Sequence, residues 1–135
     1  MDDGIEPTSG RVLVVDDSEF TGELLACTLG DHGWDVAVAT TGEAALVLAE
    51  ELRPDVVVCD FHMPGMDGLE VARRLAKLDA TLPIVMLTAA DEADLGADRG
   101  RVFDIIQKSA DPGPLLDTVG RAAAHARLAR ERLLS

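Results

Sequence analysis

Five short apolar runs recur along the chain: RVLVV (11–15), WDVAVA (34–39), DVVVCD (55–60), PIVMLT (83–88) and VFDIIQ (102–107). Three of them carry continuous cores rich in Val and Ile, with no alternation of polar residues. That is the pattern of parallel strands covered on both faces. The segments between most of them read as helices. A chain that alternates strand and helix five times, with right-handed crossovers, is expected to form one doubly wound parallel sheet. In such a sheet functional groups collect beyond the C-terminal strand ends, so the residues just after each run carry the most information.

The helix signals are local. Phe20, Leu24 and Cys27 recur at helical steps, and Leu25 and Leu29 widen the same stripe. Thr40 and Glu43 suit a capping box for a second helix through Leu52, closed by Arg53-Pro54. Val71, Leu75 and Leu78 mark a third. After the fourth run, DEADLGADRGR (91–101) has few large apolar residues and two glycines, so a helix there is expected to be short or weak. Asp111 as cap and Pro112 at the first helical position start the last helix, with Leu115, Leu116 and Val119 behind them.

Composition narrows the function classes. The 135 residues are 47% hydrophobic, enough for a core, and no apolar run approaches the roughly 20 residues of a membrane span. The acidic start MDDGIEPTSG is not a signal peptide and is expected to be a flexible lead-in over residues 1–10. A net charge of −13 speaks against a nucleic-acid face and against anionic membranes. It fits a cytoplasmic protein whose partner carries basic patches. Cys27 and Cys59 both fall in apolar segments without metal spacing and are expected to be buried, reduced thiols.

At the ends of the runs stand Asp16 and Asp17, then Asp60, then Thr88, then Lys108. Any one of these could be a solvated loop residue, and Ser18 or Asp17 could simply cap the first helix. Together they form a coherent chemistry. Three clustered carboxylates repel one another, and a divalent hard cation such as Mg2+ removes the conflict. A carboxylate beside Mg2+ can attack a phosphoryl group. Metal, ammonium, hydroxyl and backbone N–H groups can then neutralise the equatorial oxygens.

The motifs VVDDSE (14–19), DFHMPGMDGLE (60–70), TA (88–89) and the lysine of IIQKS (105–109) resemble those of bacterial two-component response regulator receiver domains. The resemblance implies an α/β domain over 11–124, with a flavodoxin-like sheet of order 2-1-3-4-5 and five helices. The fourth helix is expected to be short and the fifth to extend through 125–135. It implies Asp60 as phosphoacceptor from a histidine kinase or phosphotransfer protein, with Mg2+ on Asp17, Asp60 and the backbone carbonyl of His62. Asp16 would act largely through a metal-bound water. It also implies Lys108 and the Ala89 backbone on the phosphate and Thr88 as the hydroxyl that reports it. Pro64 and Gly65 would shape the acceptor loop, and His62 and Ala90 would tune dephosphorylation. Kinase choice would rest on Phe20, Glu23 and Leu24.

Three positions depart from the family. Ser109 follows Lys108 where proline is usual. Ile105 stands at the aromatic switch position, with Phe103 two residues earlier and expected on the same strand face. The span from Thr88 to Lys108 is short. Intact phosphorylation chemistry with atypical output is therefore expected. In the last helix, Leu116, Val119, Ala123, Ala126 and Leu133 follow a loose heptad interrupted by Arg130. It reads as a solvent-facing helix, a homodimer helix, or a connector to an output domain, with sheet cover ending near Ala123 or Ala124. The competing functions are a phosphorylation-independent binding scaffold and an aspartyl-nucleophile phosphatase of the haloacid dehalogenase type. The DDSEF after the first run lacks the DxDxT of the latter. No turnover of an external substrate is expected.

Overall fold

The structure, a computed structural model, describes residues 10–63, 65–89, 102–109 and 111–134. Its elements are β1 (Gly10–Val15), α1 (Glu19–Gly30), β2 (Trp34–Ala39), α2 (Gly42–Leu52), β3 (Val56–Asp60), α3 (Gly68–Leu78), β4 (Ile84–Thr88), β5 (Asp104–Gln107) and α4 (Gly113–Leu134). The five strands form one sheet in the order β2-β1-β3-β4-β5, with every pairing parallel. This is the expected doubly wound order. The described residues hold four helices, and the short helix expected over 91–101 lies outside them. So do Pro64, Ala90 and the lead-in up to residue 9.

Two apolar layers cover the sheet. Leu13, Val15, Val57, Cys59, Ile84 and Met86 pack against Ala45 and Ala49 of α2 and Val71, Ala72 and Leu75 of α3. On the other face Val12, Val14, Val56, Val58, Val85 and Leu87 pack against Leu29 of α1 and Leu115, Val119, Ala122 and Ala123 of α4. β3 and β4 are buried at every position, which is why their sequences carry no alternation.

Several local expectations shift. α2 is capped by Thr41, whose Oγ1 accepts from the Ala44 N–H at 3.0 Å, and not by Thr40. Its C-cap, Arg53, adopts φ 50°. On α1 the buried face is Gly22 and Leu29, while Phe20 (72% exposed), Leu24 (53%) and Cys27 face solvent. Periodicity identifies the helix but not which of two adjacent stripes meets the sheet. Cys27 is therefore an exposed thiol, and only Cys59 is buried. Leu78, at the end of the α3 stripe, is half-exposed.

Phe103 does not share a face with Ile105. Ile105 packs with the α2/α3 layer, whereas Phe103 packs with the α1/α4 layer, its ring 5.5 Å from that of His125. Strand alternation does not reach Phe103 because β5 begins only at Asp104. The heptad positions Val119, Ala123 and Ala126 are buried against the domain itself, so that stripe is already covered. Contact also runs beyond Ala124. Ala126 is fully buried, and Arg130 donates to Asp55 Oδ1 (2.7 Å), the Pro54 carbonyl (3.0 Å), Thr81 Oγ1 (3.2 Å) and Asp79 Oδ2 (3.4 Å). No helix of the described residues is long and apolar enough to cross a membrane.

Candidate functional site

The site lies at the C-terminal ends of β1, β3, β4 and β5, where strand order reverses around β1. β1 ends at Val15, and the Asp16 N–H still donates to the Ala39 carbonyl of β2 (3.0 Å), which holds Asp16 at the sheet edge. Asp16 Oδ1 accepts from the Ser18 N–H at 2.9 Å, and Ser18 in turn caps α1 through the Thr21 N–H. The turn therefore fixes Asp16 pointing inward while Asp17 stays exposed. Asp60 is the last residue of β3. The Phe61 N–H pairs with the Leu87 carbonyl (2.9 Å), and the His62 N–H donates to Asp60 Oδ1 (3.3 Å).

Carboxylate oxygens of Asp16, Asp17 and Asp60 all lie within 4.8 Å of one another. Asp16 Oδ2 is buried with no hydrogen-bond partner among the described residues. Burial is the main cause that raises the Asp16 carboxyl above its ordinary value. The Ser18 N–H and Lys108 oppose the rise, and Asp60 and Asp17 add to it. An enclosed, unpartnered oxygen among two further hard donors fits a small divalent cation held by few protein ligands and water. Burial, then the neighbouring acids, also push the Cys59 thiol up to about 12, which leaves it an inert core residue beside the site.

Lys108 reaches the cluster from the β5 end. Its Nζ stands 3.2 Å from Asp60 Oδ1, and its backbone N–H donates to the Thr88 carbonyl at 2.7 Å. That backbone bond extends the β4–β5 pairing by one residue, so Lys108 is aimed inward although Ser109 replaces the usual proline. Thr88 is buried at the end of β4, one residue beyond Leu87, the partner of Asp60. Ala89 comes next and is exposed. Asp16, Asp17, Asp60 and Lys108 are thus assembled in one place, with Thr88 and Ala89 at the adjoining strand end. His62 is exposed on the loop after Asp60, its ring edge-on to Phe61. Gly65 takes φ 84°, a backbone shape that glycine adopts without strain.

Beside Lys108 a groove of about 360 Å³ runs between α1 and the start of α4, lined in part by Leu24, Leu25, Ser109 and Pro112. It adjoins the exposed α1 face. Gly68, which the sequence offers only as one letter of the DFHMPGMDGLE motif, has a structural part beside the site. Its N–H donates to the Phe61 carbonyl at 3.0 Å and closes the loop after Asp60.

The response regulator MtrA of Mycolicibacterium paratuberculosis, named as DNA-binding, is 44% identical over 112 residues, which cover 81% of this chain and 49% of that protein. The alkaline phosphatase synthesis transcriptional regulatory protein PhoP of Bacillus subtilis is 43% identical over 95 residues, covering 65% of this chain and 40% of that one. The chain therefore spans about half the length, or less, of these curated relatives. Among solved structures, the response regulator TrrA of Thermotoga maritima in complex with Mg2+-BeF matches with a TM-score of 0.78 at 32% identity, over 83% of this chain and 97% of that one. NtrX of Brucella abortus in complex with ATP matches with a TM-score of 0.84 at 27% identity, over 92% of this chain and 29% of that one. The sequence pattern of the response regulator receiver domain covers residues 12–120, from within β1 through β5 and including the whole acidic edge, and the chain belongs to that family.

Proposed function

We propose that this domain accepts a phosphoryl group on Asp60 from the phosphohistidine of a sensor histidine kinase or phosphotransfer protein. A carboxylate oxygen of Asp60 bonds to phosphorus as the P–N bond breaks. The imidazole nitrogen keeps the electron pair and takes up a proton, and Asp60 becomes an acyl phosphate. The observation that carries this reading is the Lys108–Asp60 ion pair at 3.2 Å, placed against an acidic cluster whose Asp16 Oδ2 has no partner among the described residues. Asp16, Asp17, Asp60 and the His62 carbonyl are the groups to hold Mg2+, which when bound supplies positive charge to the carboxylates and phosphoryl oxygens. Lys108 offers an ammonium to the incoming phosphoryl oxygens, and Thr88 and the Ala89 N–H stand at the next strand end to donate to them.

The domain catalyses only its own phosphotransfer and dephosphorylation, in the cytoplasm. Exposed Phe20 and Leu24, next to the groove beside Lys108, suit docking of the donor protein. A net charge of −13 disfavours nucleic acid on this domain, and the relatives named for DNA binding are matched over only about half their length. Any regulation of DNA is assigned to an output domain or effector. The test uses phosphoramidate, a small P–N donor, with Mg2+. An acyl-phosphate resonance in the 31P spectrum that is absent in Asp60→Asn supports the reading. Sustained phosphate release from p-nitrophenyl phosphate, with no acyl phosphate, sinks it in favour of a phosphatase.

A further inference from the structure

Gly68 opens α3 directly beneath the phosphoacceptor. A Cβ on it would lie 2.7 Å from the Asp60 carbonyl oxygen, 2.9 Å from the Phe61 Cα and 2.9 Å from Met86 Sδ. Two of these three atoms are backbone, belonging to Asp60 itself and to the residue after it. They cannot swing away as a side chain can. Gly42 makes the contrast: its Cβ would meet Met66 Sδ at 2.8 Å and Val71 Cγ2 at 3.0 Å, both side-chain atoms. Gly68 is also not among the glycines with positive φ, so its conformation does not call for glycine. Space alone does.

The same residue closes the loop. The Gly68 N–H is one of the first-turn donors that a helix leaves unpaired, and it donates to the Phe61 carbonyl at 3.0 Å. Asp67 Oδ1 caps the same turn through the Glu70 N–H at 2.9 Å. The start of α3 is thus pressed against the Asp60–Phe61 peptide, with contact and hydrogen bond fixing the separation together. The Asp60 side chain branches from the residue that opens that peptide, and the His62 carbonyl follows two peptides further along the same loop.

We propose that Gly68 is a positioning residue for phosphotransfer, setting the Asp60 carboxylate, and through the loop that follows it the His62 carbonyl, by letting the first turn of α3 seat against the Asp60–Phe61 backbone. This rests on the reading of Asp60 as phosphoacceptor. A methyl group at Gly68 forces the Asp60–Phe61 peptide and the helix start apart. Misplacement of a reacting group by a fraction of an ångström to an ångström costs orders of magnitude in rate.

The experiment compares wild type, Gly68→Ala and Leu75→Ala, the last a cavity in the buried face of the same helix, away from the loop. Single-turnover phosphorylation by acetyl phosphate and the Mg2+ concentration for half-maximal rate are measured beside the melting temperature. Gly68→Ala is expected to slow phosphorylation at least about tenfold at saturating Mg2+ and to raise the Mg2+ requirement several-fold. Leu75→Ala, with an equal or larger fall in melting temperature, is expected to stay within about twofold of wild type. Gly68→Ala within twofold of wild type overturns the proposal, as does equal slowing in Leu75→Ala. If Gly68→Ala does not fold, Gly68→Ala with Met86→Ala removes the one side-chain neighbour and leaves the backbone conflict. A folded double variant with the same slowing supports the proposal. Wild-type rate, or failure of both to fold even at 10 °C with Mg2+, overturns it. Absence of phosphorylation in the wild type would instead strike the assignment of Asp60.

Discussion

Asp16 sits in an electrostatic conflict that the described side chains do not resolve. One of its oxygens accepts from Ser18, the other has no partner among them, and two further carboxylates lie within 4.8 Å. Removing one of the three like charges relieves repulsion but also removes a donor to a cation. Asp16→Asn is therefore expected to act with opposite signs in two conditions. Without Mg2+ it should raise stability by about 1 kcal/mol. With Mg2+ in excess it should lose most of the stabilisation that binding gives the wild type. Thermal melts with and without Mg2+ check this, and a variant less stable than wild type in chelator contradicts it. The acids are legible in the sequence because each interrupts an apolar run at its end. The Ser18 N–H that turns Asp16 inward is not, because a backbone donor leaves no letter in the sequence.

At the scale of the element, helix starts rest on side-chain oxygens that take a first-turn N–H, and these caps carry part of the fold. Thr41 Oγ1 holds the Ala44 N–H in a half-solvated turn, with Gly42 packed under Met66. Thr41→Ala should cost about 1 kcal/mol in urea unfolding, whereas Thr40→Ala should be near neutral. The reverse order would contradict the cap assignment. Two adjacent threonines offer the same chemistry to sequence reading, so only backbone geometry separates them. The misjudged face of α1 has a similar origin. A helix with apolar residues on two stripes gives one period and two candidate faces, and the sheet selects Gly22 and Leu29 because Gly22 permits close approach to Val38. The stripe left outside, Phe20 and Leu24, is the one suited to a partner.

At the scale of the molecule, the two ends of the sheet do different work. The C-terminal strand ends carry the acids, and the N-terminal ends carry a clamp in which Arg130 ties the end of α4 to Asp55, Pro54, Thr81 and Asp79. In the sequence Arg130 only interrupts a heptad, because its partners lie 49 to 76 residues away. Strand order, by contrast, follows from the family resemblance that the strand-end motifs carry, and the sheet has that order. Burial raises the Asp79 carboxyl, but hydrogen bonds from Thr81 and the charge of Arg130 outweigh it and hold it below its ordinary value. A depressed carboxyl contributes stability that is present above its unfolded pKa, about 3.9, and lost as pH falls through the folded value. Arg130→Ala should therefore cost about 2 kcal/mol at pH 7. The gap between variant and wild type should narrow below about pH 4. A gap that widens at low pH contradicts the clamp.

The same architecture bears on output. Ile105 faces the α2/α3 layer and Phe103 packs by His125 on the opposite face, so among the described residues of β5 no aromatic stands where the family's hydroxyl switch would meet one. Amide shifts induced by Mg2+ with beryllofluoride are expected to stay near residues 60 and 88. Large shifts spread over 102–120 would contradict atypical output.

The most direct measurement is intact mass after incubation with acetyl phosphate, with and without Mg2+, beside Asp60→Asn. The account predicts a single phosphoryl adduct that requires Mg2+ and disappears in the variant. A folded wild-type protein that binds Mg2+ and gains no mass, or an adduct that survives in Asp60→Asn, would contradict it.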